Sequence, residues 1–194
     1  MTIPNLFTAI RVILTPVFLI YVITDRIFLS LIVFIIAGIT DALDGIIARL
    51  FNQKSKIGAI LDPLADKLLL MSAYVAIPIK RHTIPEWLSA IVISRDVLIL
   101  LGVLILFLNS IKFEIKPSLI SKMNTCLQVI TVLSALLSER VLFFKEIGEY
   151  LHITTASFTI ASGLHYMGYW FRLIGENNKK NRRDEDDRRN NPKD

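Results

Sequence analysis

Residues 28–49 read FLSLIVFIIAGITDALDGIIAR, an apolar block that closes on two aspartates and an arginine. The block is near the ~20 residues that a helix needs to cross a ~30 Å hydrocarbon core. Five more segments of similar character flank it, at 5–24, 58–79, 86–108, 119–138 and 149–173. The breaks between them carry polar or turn residues: Thr24-Asp25-Arg26, Asn52 to Lys56, Lys80 to Pro85, Asn109 to Pro117 and Glu139 to Glu149. Connections this short make consecutive helices antiparallel neighbours. No β alternation, internal repeat or domain linker is visible. The sequence therefore predicts an all-α, polytopic membrane protein, a bundle of six transmembrane helices in one domain.

Composition agrees. The chain has 194 residues, is 53% hydrophobic and carries 22 Lys and Arg against 17 Asp and Glu, a net charge of +5. That apolar content excludes a disordered chain, and the single cysteine, Cys126, excludes a disulfide scaffold. Long apolar blocks, in place of alternating or amphipathic runs, argue against a soluble domain. The stretch ENNKKNRRDEDDRRNNPKD, residues 176–194, has seven basic and six acidic residues and no apolar anchor. It is expected to be a disordered tail on a membrane domain spanning 1–175.

Orientation follows from the cations. With the N-terminus inside, 15 Lys and Arg fall on the cytoplasmic side, five on the other and two (Lys67 and Arg95) within helices. Both termini are expected inside. No basic n-region or cleavage site marks a secretory signal, and no Arg-rich presequence precedes Thr2-Ile3-Pro4-Asn5. The expected location is a bacterial cell membrane, with the site on its cytoplasmic side. No nucleic-acid partner is expected.

The ionised residues inside the apolar blocks carry the chemistry, because charges there are expensive. Asp41 and Asp44 stand three apart on one helical face, and Asp62 and Asp66 stand four apart on a face of the next helix. The short connection brings both pairs toward the same membrane surface. Four clustered carboxylates need counter-charge, and an oxygen-only ligand set suits Mg²⁺ or Mn²⁺. Two such ions could bind a diphosphate and stabilise the attacking and leaving oxygens at phosphorus. Gly45 and Gly58 remove side chains where a ligand or facing helix comes close, and Arg49 can pair with phosphate oxygens. Either glycine alone would read as a packing residue, and a single Asp as an interhelical hydrogen-bonding group.

The spacing D-x2-D-G-x2-A-R-x8-G-x3-D-x3-D, met by Asp41, Asp44, Gly45, Ala48, Arg49, Gly58, Asp62 and Asp66, resembles the signature of the CDP-alcohol phosphatidyltransferases. The resemblance implies a six-helix membrane enzyme that moves a phosphatidyl group from CDP-diacylglycerol to an alcohol and releases CMP. It implies that Asp41, Asp44 and Asp62 hold the metals. Asp66 would be the general base on the acceptor hydroxyl and would also contact a metal. Gly45, Ala48, Arg49 and Gly58 would line the CDP-lipid, with Ser55 in the following loop. It also suggests a homodimer.

The opening Ile3-Pro4-Asn5-Leu6-Phe7-Thr8-Ala9-Ile10-Arg11 resembles the I-P-N-x-x-T-x-x-R start of the branch that makes anionic glycerophospholipids, where Asn5 and Thr8 would face the nucleotide. Two polar intrusions bear on the acceptor: Ser94-Arg95-Asp96, and Ser121-Lys122-Met123-Asn124-Thr125 with Gln128. Arg95 and Lys122 are candidates for an acceptor-phosphate pocket, whereas Arg95 and Asp96 could instead neutralise each other. Phosphatidylglycerophosphate synthases resemble G-K-x-K-T here; Ser121 and Asn124 depart from that. S-R-D and S-K-x-N-T-x-x-Q resemble eukaryotic-type cardiolipin synthases, whose acceptor is phosphatidylglycerol. Glycerol-3-phosphate is the leading acceptor on this reading, as the common substrate of compact chains in the branch, with phosphatidylglycerol next.

Two other classes use intramembrane carboxylates. An Asp-lined ion or proton pathway usually carries repeats or broken helices, absent here. An intramembrane prenyltransferase has a larger bundle and different Asp spacing.

Overall fold

The computed structural model describes residues 3–51, 58–108 and 119–190, with side chains described outside 3–8, 41–51, 58–66, 103–104, 106–108, 174 and 176–190. Its described residues form seven helices and no strand. The six long ones fall on the six apolar segments: α1 (Ile3–Ile23), α2 (Ile27–Phe51), α3 (Gly58–Arg81), α4 (Glu86–Leu108), α5 (Leu119–Leu137) and α7 (Gly148–Asn190). Between α5 and α7 lies a short α6, Leu142–Glu146.

α7 differs from expectation at its C-terminal end. It crosses residue 175 without a break and keeps a helical backbone through Asn190, over most of the segment expected to be a disordered tail. Opposite charges recur four residues apart there, at Lys180/Asp184, Arg182/Asp186, Arg183/Asp187, Asp184/Arg188 and Glu185/Arg189. That spacing supports a helix without any apolar face.

α1 packs against both α2 and α3; α4 packs against α3 and α7; α5 packs against α2, α3 and α7. Phe18 of α1 and Phe34 of α2 meet at a centroid distance of 5.6 Å. They head a core that includes Val22, Val33, Leu69, Tyr74, Ile77, Leu88 and Val132.

Three turns converge at one end. Arg81, at the end of α3, pairs with Asp25 of the α1–α2 turn at 3.0 Å and with Glu139 after α5. The Arg140 guanidinium lies 5.2 Å from the centroid of the Phe28 ring. Asp25 adopts a left-handed φ of 66°, which Asp tolerates better than most residues, so α2 folds straight back along α1. The opposite end therefore collects the starts of α1, α3 and α5 and the last turns of α2 and α4.

The burial pattern runs opposite to that of a water-soluble bundle. Arg11, Arg95, Asp96, Asn124, Gln128, Thr155 and Thr159 are buried, whereas Ile13 (64% exposed), Ile79 (67%) and Leu164 (64%) point outward. Among the described residues one helix, Leu119–Leu137, is long and apolar enough to cross a membrane, and Ala9–Ile23 and Ile27–Thr40 are shorter apolar helices.

α4 and α7 approach closely at Gly102, where an added Cβ would lie 2.3 Å from the Trp170 ring. Gly102→Ala is accordingly expected to destabilise the fold by about 1–3 kcal/mol through overpacking, read as a lower thermal midpoint in detergent. Gly168→Ala, whose Cβ would meet nothing within 4 Å, serves as the control. Equal midpoints for the two variants would contradict this packing account.

Candidate active site at the α2–α3 end of the bundle

Helix geometry places the signature. In the α1–α2 hairpin Asn5 and Gly45 are each 20 residues from Asp25, and Thr8 and Ala42 are each 17. Equal lengths of antiparallel helix carry them to the same level. Asp41, Asp44, Gly45, Ala48 and Arg49 thus occupy the last turns of α2, beside the first turns of α1. Gly58 opens α3 and Asp62 follows one turn on. Asp66, eight residues into α3, lies about 12 Å along the axis from that end. All of these backbones gather at the end away from Arg81, and α1 joins them by packing on both signature helices. The side chains of Asn5, Thr8, Asp41, Asp44, Ala48, Arg49, Asp62 and Asp66 lie outside the described side chains, and Ser55 lies outside the described residues.

The described part of the site begins one residue after Asp66. Lys67 Nζ donates to Asp96 Oδ1 at 2.7 Å, and Arg95 Nη1 donates to the same oxygen at 2.6 Å. Arg95 Nη2 donates to Ser121 Oγ at 2.9 Å and to Ser162 Oγ at 2.7 Å. The guanidinium also stands 5.7 Å from the centroid of the Tyr166 ring. One buried arginine thereby ties α4 to α5 and α7, and its neighbour Asp96 ties α4 to α3. Arg95 is 4% exposed and Asp96 1%. At that burial an uncompensated charge would be costly, so the pairing is a condition of the fold.

Lys122, the other candidate for acceptor phosphate, is exposed, and its neighbour Ser121 makes the contact with Arg95. Adjacent residues on a helix are turned about 100° apart, which accounts for the split. Asn124 is buried, and its Oδ1 accepts from Thr159 Oγ1 at 2.8 Å. Thr131 and Thr155 hydroxyls are 2.8 Å apart, and Tyr74 Oη donates to the Gln128 carbonyl at 3.2 Å. Through Asn124 and Thr131 the polar intrusion of α5 forms a hydrogen-bonded seam with α7, and through the Gln128 backbone carbonyl it reaches α3.

Sequence reasoning missed the α7 half of this seam. Thr155, Thr159, Ser162 and Tyr166 recur at spacings of four, three and four, one helical face, and that periodicity was the available signal. Lys67, one residue after Asp66, has Asp96 as its described partner.

Comparison with known proteins agrees with the resemblance. The CDP-alcohol phosphatidyltransferase family model matches residues 1–163, a stretch that holds every candidate site residue from Asn5 to Lys122. The chain belongs to the CDP-alcohol phosphatidyltransferase family. It is 36% identical over 192 residues to the cardiolipin synthase (CMP-forming) of Homo sapiens, covering 89% of this chain and 63% of that protein. It is 29% identical over 177 residues to the CDP-diacylglycerol–glycerol-3-phosphate 3-phosphatidyltransferase of Aquifex aeolicus, covering 90% of this chain and 98% of the relative. With the enzyme of the same name from Haemophilus influenzae it shares 44% identity over 101 residues, half of this chain and 55% of that one. The chain thus spans less than two thirds of the human relative's length.

Asp96→Asn leaves two cations facing each other without their shared carboxylate and is expected to destabilise the protein by about 3–5 kcal/mol. The double variant Lys67→Met/Asp96→Asn should recover part of that loss in a double-mutant cycle of thermal midpoints. Strictly additive losses would show that the Lys67–Asp96 contact carries no coupling.

Proposed function

We propose that the chain is a six-span integral membrane enzyme of phospholipid synthesis, with both termini and the site on the cytoplasmic side. It transfers the phosphatidyl group of CDP-diacylglycerol to a hydroxyl of phosphatidylglycerol, giving cardiolipin and CMP. The outward apolar side chains and buried polar ones support a lipid surround. The resemblance at Asp41 to Asp66 supports the donor.

The observation that favours a lipid acceptor is the charge of the Lys67–Asp96–Arg95 group. Two cations share one carboxylate, leaving +1, which matches the single negative charge of a phosphodiester. Asn124 stands where a second lysine would serve free glycerol-3-phosphate, and it is buried against Thr159. On this reading phosphatidylglycerol is placed ahead of glycerol-3-phosphate, the acceptor preferred from the sequence. The Aquifex relative, matched over nearly its whole length, keeps that acceptor as the second reading.

Asp41, Asp44, Asp62 and Asp66 are the residues that would hold two Mg²⁺ or Mn²⁺ ions, and all four donors are hard oxygens suited to such cations. Bound there, the ions would neutralise diphosphate charge. Asp66 takes the proton of the acceptor hydroxyl. The acceptor oxygen then forms a bond to the lipid-bearing phosphorus, the bond from that phosphorus to the CMP oxygen breaks, and CMP leaves. Asn5, Thr8, Gly45, Ala48, Arg49, Ser55 and Gly58 hold the CDP-lipid, with Arg49 on its phosphates. Arg95 orients the acceptor phosphate, and Lys122, exposed one residue after the Arg95 partner Ser121, adds positive charge for it.

The test supplies purified enzyme with CDP-diacylglycerol and either acceptor, identifying the lipid product by mass. Cardiolipin is expected, and phosphatidylglycerophosphate as the dominant product would overturn the acceptor assignment. Asp66→Asn should lower CMP release about 10²–10⁴-fold, the range for loss of a general base. Chelation should abolish it, and Mg²⁺ or Mn²⁺ should restore it. Turnover intact in Asp66→Asn, or in chelator, would refute the mechanism.

A further inference from the structure

A groove of about 340 Å³ runs between α4 and α7 on the outer face of the bundle, a volume within the ~300–1,000 Å³ of small-molecule sites. Ile91, Arg95 and Leu98 of α4 face Ile160, Gly163 and Leu164 of α7 across it. We infer that this groove seats one acyl chain of an anionic phospholipid, with Arg95 at its polar floor; on the acceptor reading above, on which this rests, that lipid is the phosphatidylglycerol acceptor.

Three observations carry the inference. The walls are apolar and open outward: Leu98, Ile160 and Leu164 are 43%, 49% and 64% exposed. In a lipid surround an open apolar wall meets acyl chains. The floor is charged, because Arg95 lines the groove although its side chain is only 5% exposed. Both its Nη atoms are engaged, while its buried Nε has no hydrogen-bond partner among the described residues. A buried donor left unsatisfied is costly, and a phosphodiester oxygen would satisfy it. Finally, Gly163 keeps the passage open, since a Cβ there would reach to 3.6 Å from Arg95 Cγ and a longer side chain would occupy the space above it.

The groove also leads somewhere. Arg95 and Lys67 share one oxygen of Asp96, and Lys67 is the residue after Asp66. A phospholipid that enters laterally between α4 and α7 arrives at the residues that adjoin the proposed general base, without its chains crossing the aqueous face. Ser94, exposed at the groove's edge, adds a hydroxyl for the headgroup. A free glycerol-3-phosphate has no use for such a groove.

The experiment uses the full chain in phosphatidylcholine nanodiscs with phosphatidylglycerol bearing a diazirine on one acyl chain. After photolysis, adducts are mapped by peptide mass. Adducts should concentrate on 91–98 and 160–164, and fall with excess unlabelled phosphatidylglycerol but not with added phosphatidylcholine. Gly163→Leu should cut them about tenfold and raise the KM for phosphatidylglycerol by a similar factor, with kcat little changed, as expected for lost binding common to ground and transition states. Ile160→Trp, at the exposed rim, should do the same if Gly163→Leu fails to fold. Adducts spread evenly over outward positions such as Ile13 and Ile79, or equal competition by phosphatidylcholine, would overturn the groove. Product identity tests the acceptor separately: cardiolipin synthesis with evenly spread adducts removes the groove alone. Synthesis of phosphatidylglycerophosphate with concentrated adducts removes the acceptor reading and leaves an anionic-lipid site.

Discussion

Asp96 Oδ1 accepts from Lys67 Nζ and from Arg95 Nη1 within 2.7 Å of each, and most of the bundle's arrangement can be traced from that shared oxygen. Charges inside an apolar bundle persist only when paired and hydrogen-bonded. The pairing fixes the height of α4 against α3. Through Ser121 and Ser162 the same arginine fixes α5 and α7. Four helices are thereby held at one level, next to the last aspartate of the signature. The group has a net charge of +1, so it resists burial alone and offers an anion a reason to approach.

A second constraint acts at the other end. Arg81 bridges the α1–α2 turn and the α5 end through Asp25 and Glu139. These pairs are partly exposed, and pairs of that kind contribute little to stability. Their effect is geometric: with the hairpin ends pinned, equal helix lengths bring Asn5 and Thr8 level with the last turns of α2. α1, packed on both α2 and α3, is then the scaffold between the two halves of the signature. The close approach of α4 and α7 at Gly102 completes the frame, and Gly163, without a side chain, leaves the lateral groove open.

Much of this was legible in the sequence, for physical reasons. The six long helices follow from blocks near membrane-spanning length bounded by polar breaks, and their antiparallel order follows from short loops. The backbone level of the carboxylate signature follows from helix lengths and their antiparallel order. What was not legible depends on partners remote in sequence. Lys67 and Asp96 are 29 residues apart, and Arg95 and Ser162 are 67 apart; no local pattern announces either contact. Asn124 read as a missing lysine of a phosphate pocket, and only the contact with Thr159 assigns it to helix packing. At the C-terminus the absence of apolar residues suggested disorder, although charges four apart suit a helix equally well. Composition registers how apolar a segment is and ignores the order of its charges.

Family membership and the site together lead to one chemical question, the nature of the alcohol. The most direct measurement is a competition reaction in vesicles that hold CDP-diacylglycerol and chain-deuterated phosphatidylglycerol, with glycerol-3-phosphate in the buffer. The account predicts deuterated cardiolipin and one CMP for each cardiolipin formed, with little phosphatidylglycerophosphate. Accumulation of unlabelled phosphatidylglycerophosphate, with the deuterated lipid unconsumed, would contradict it.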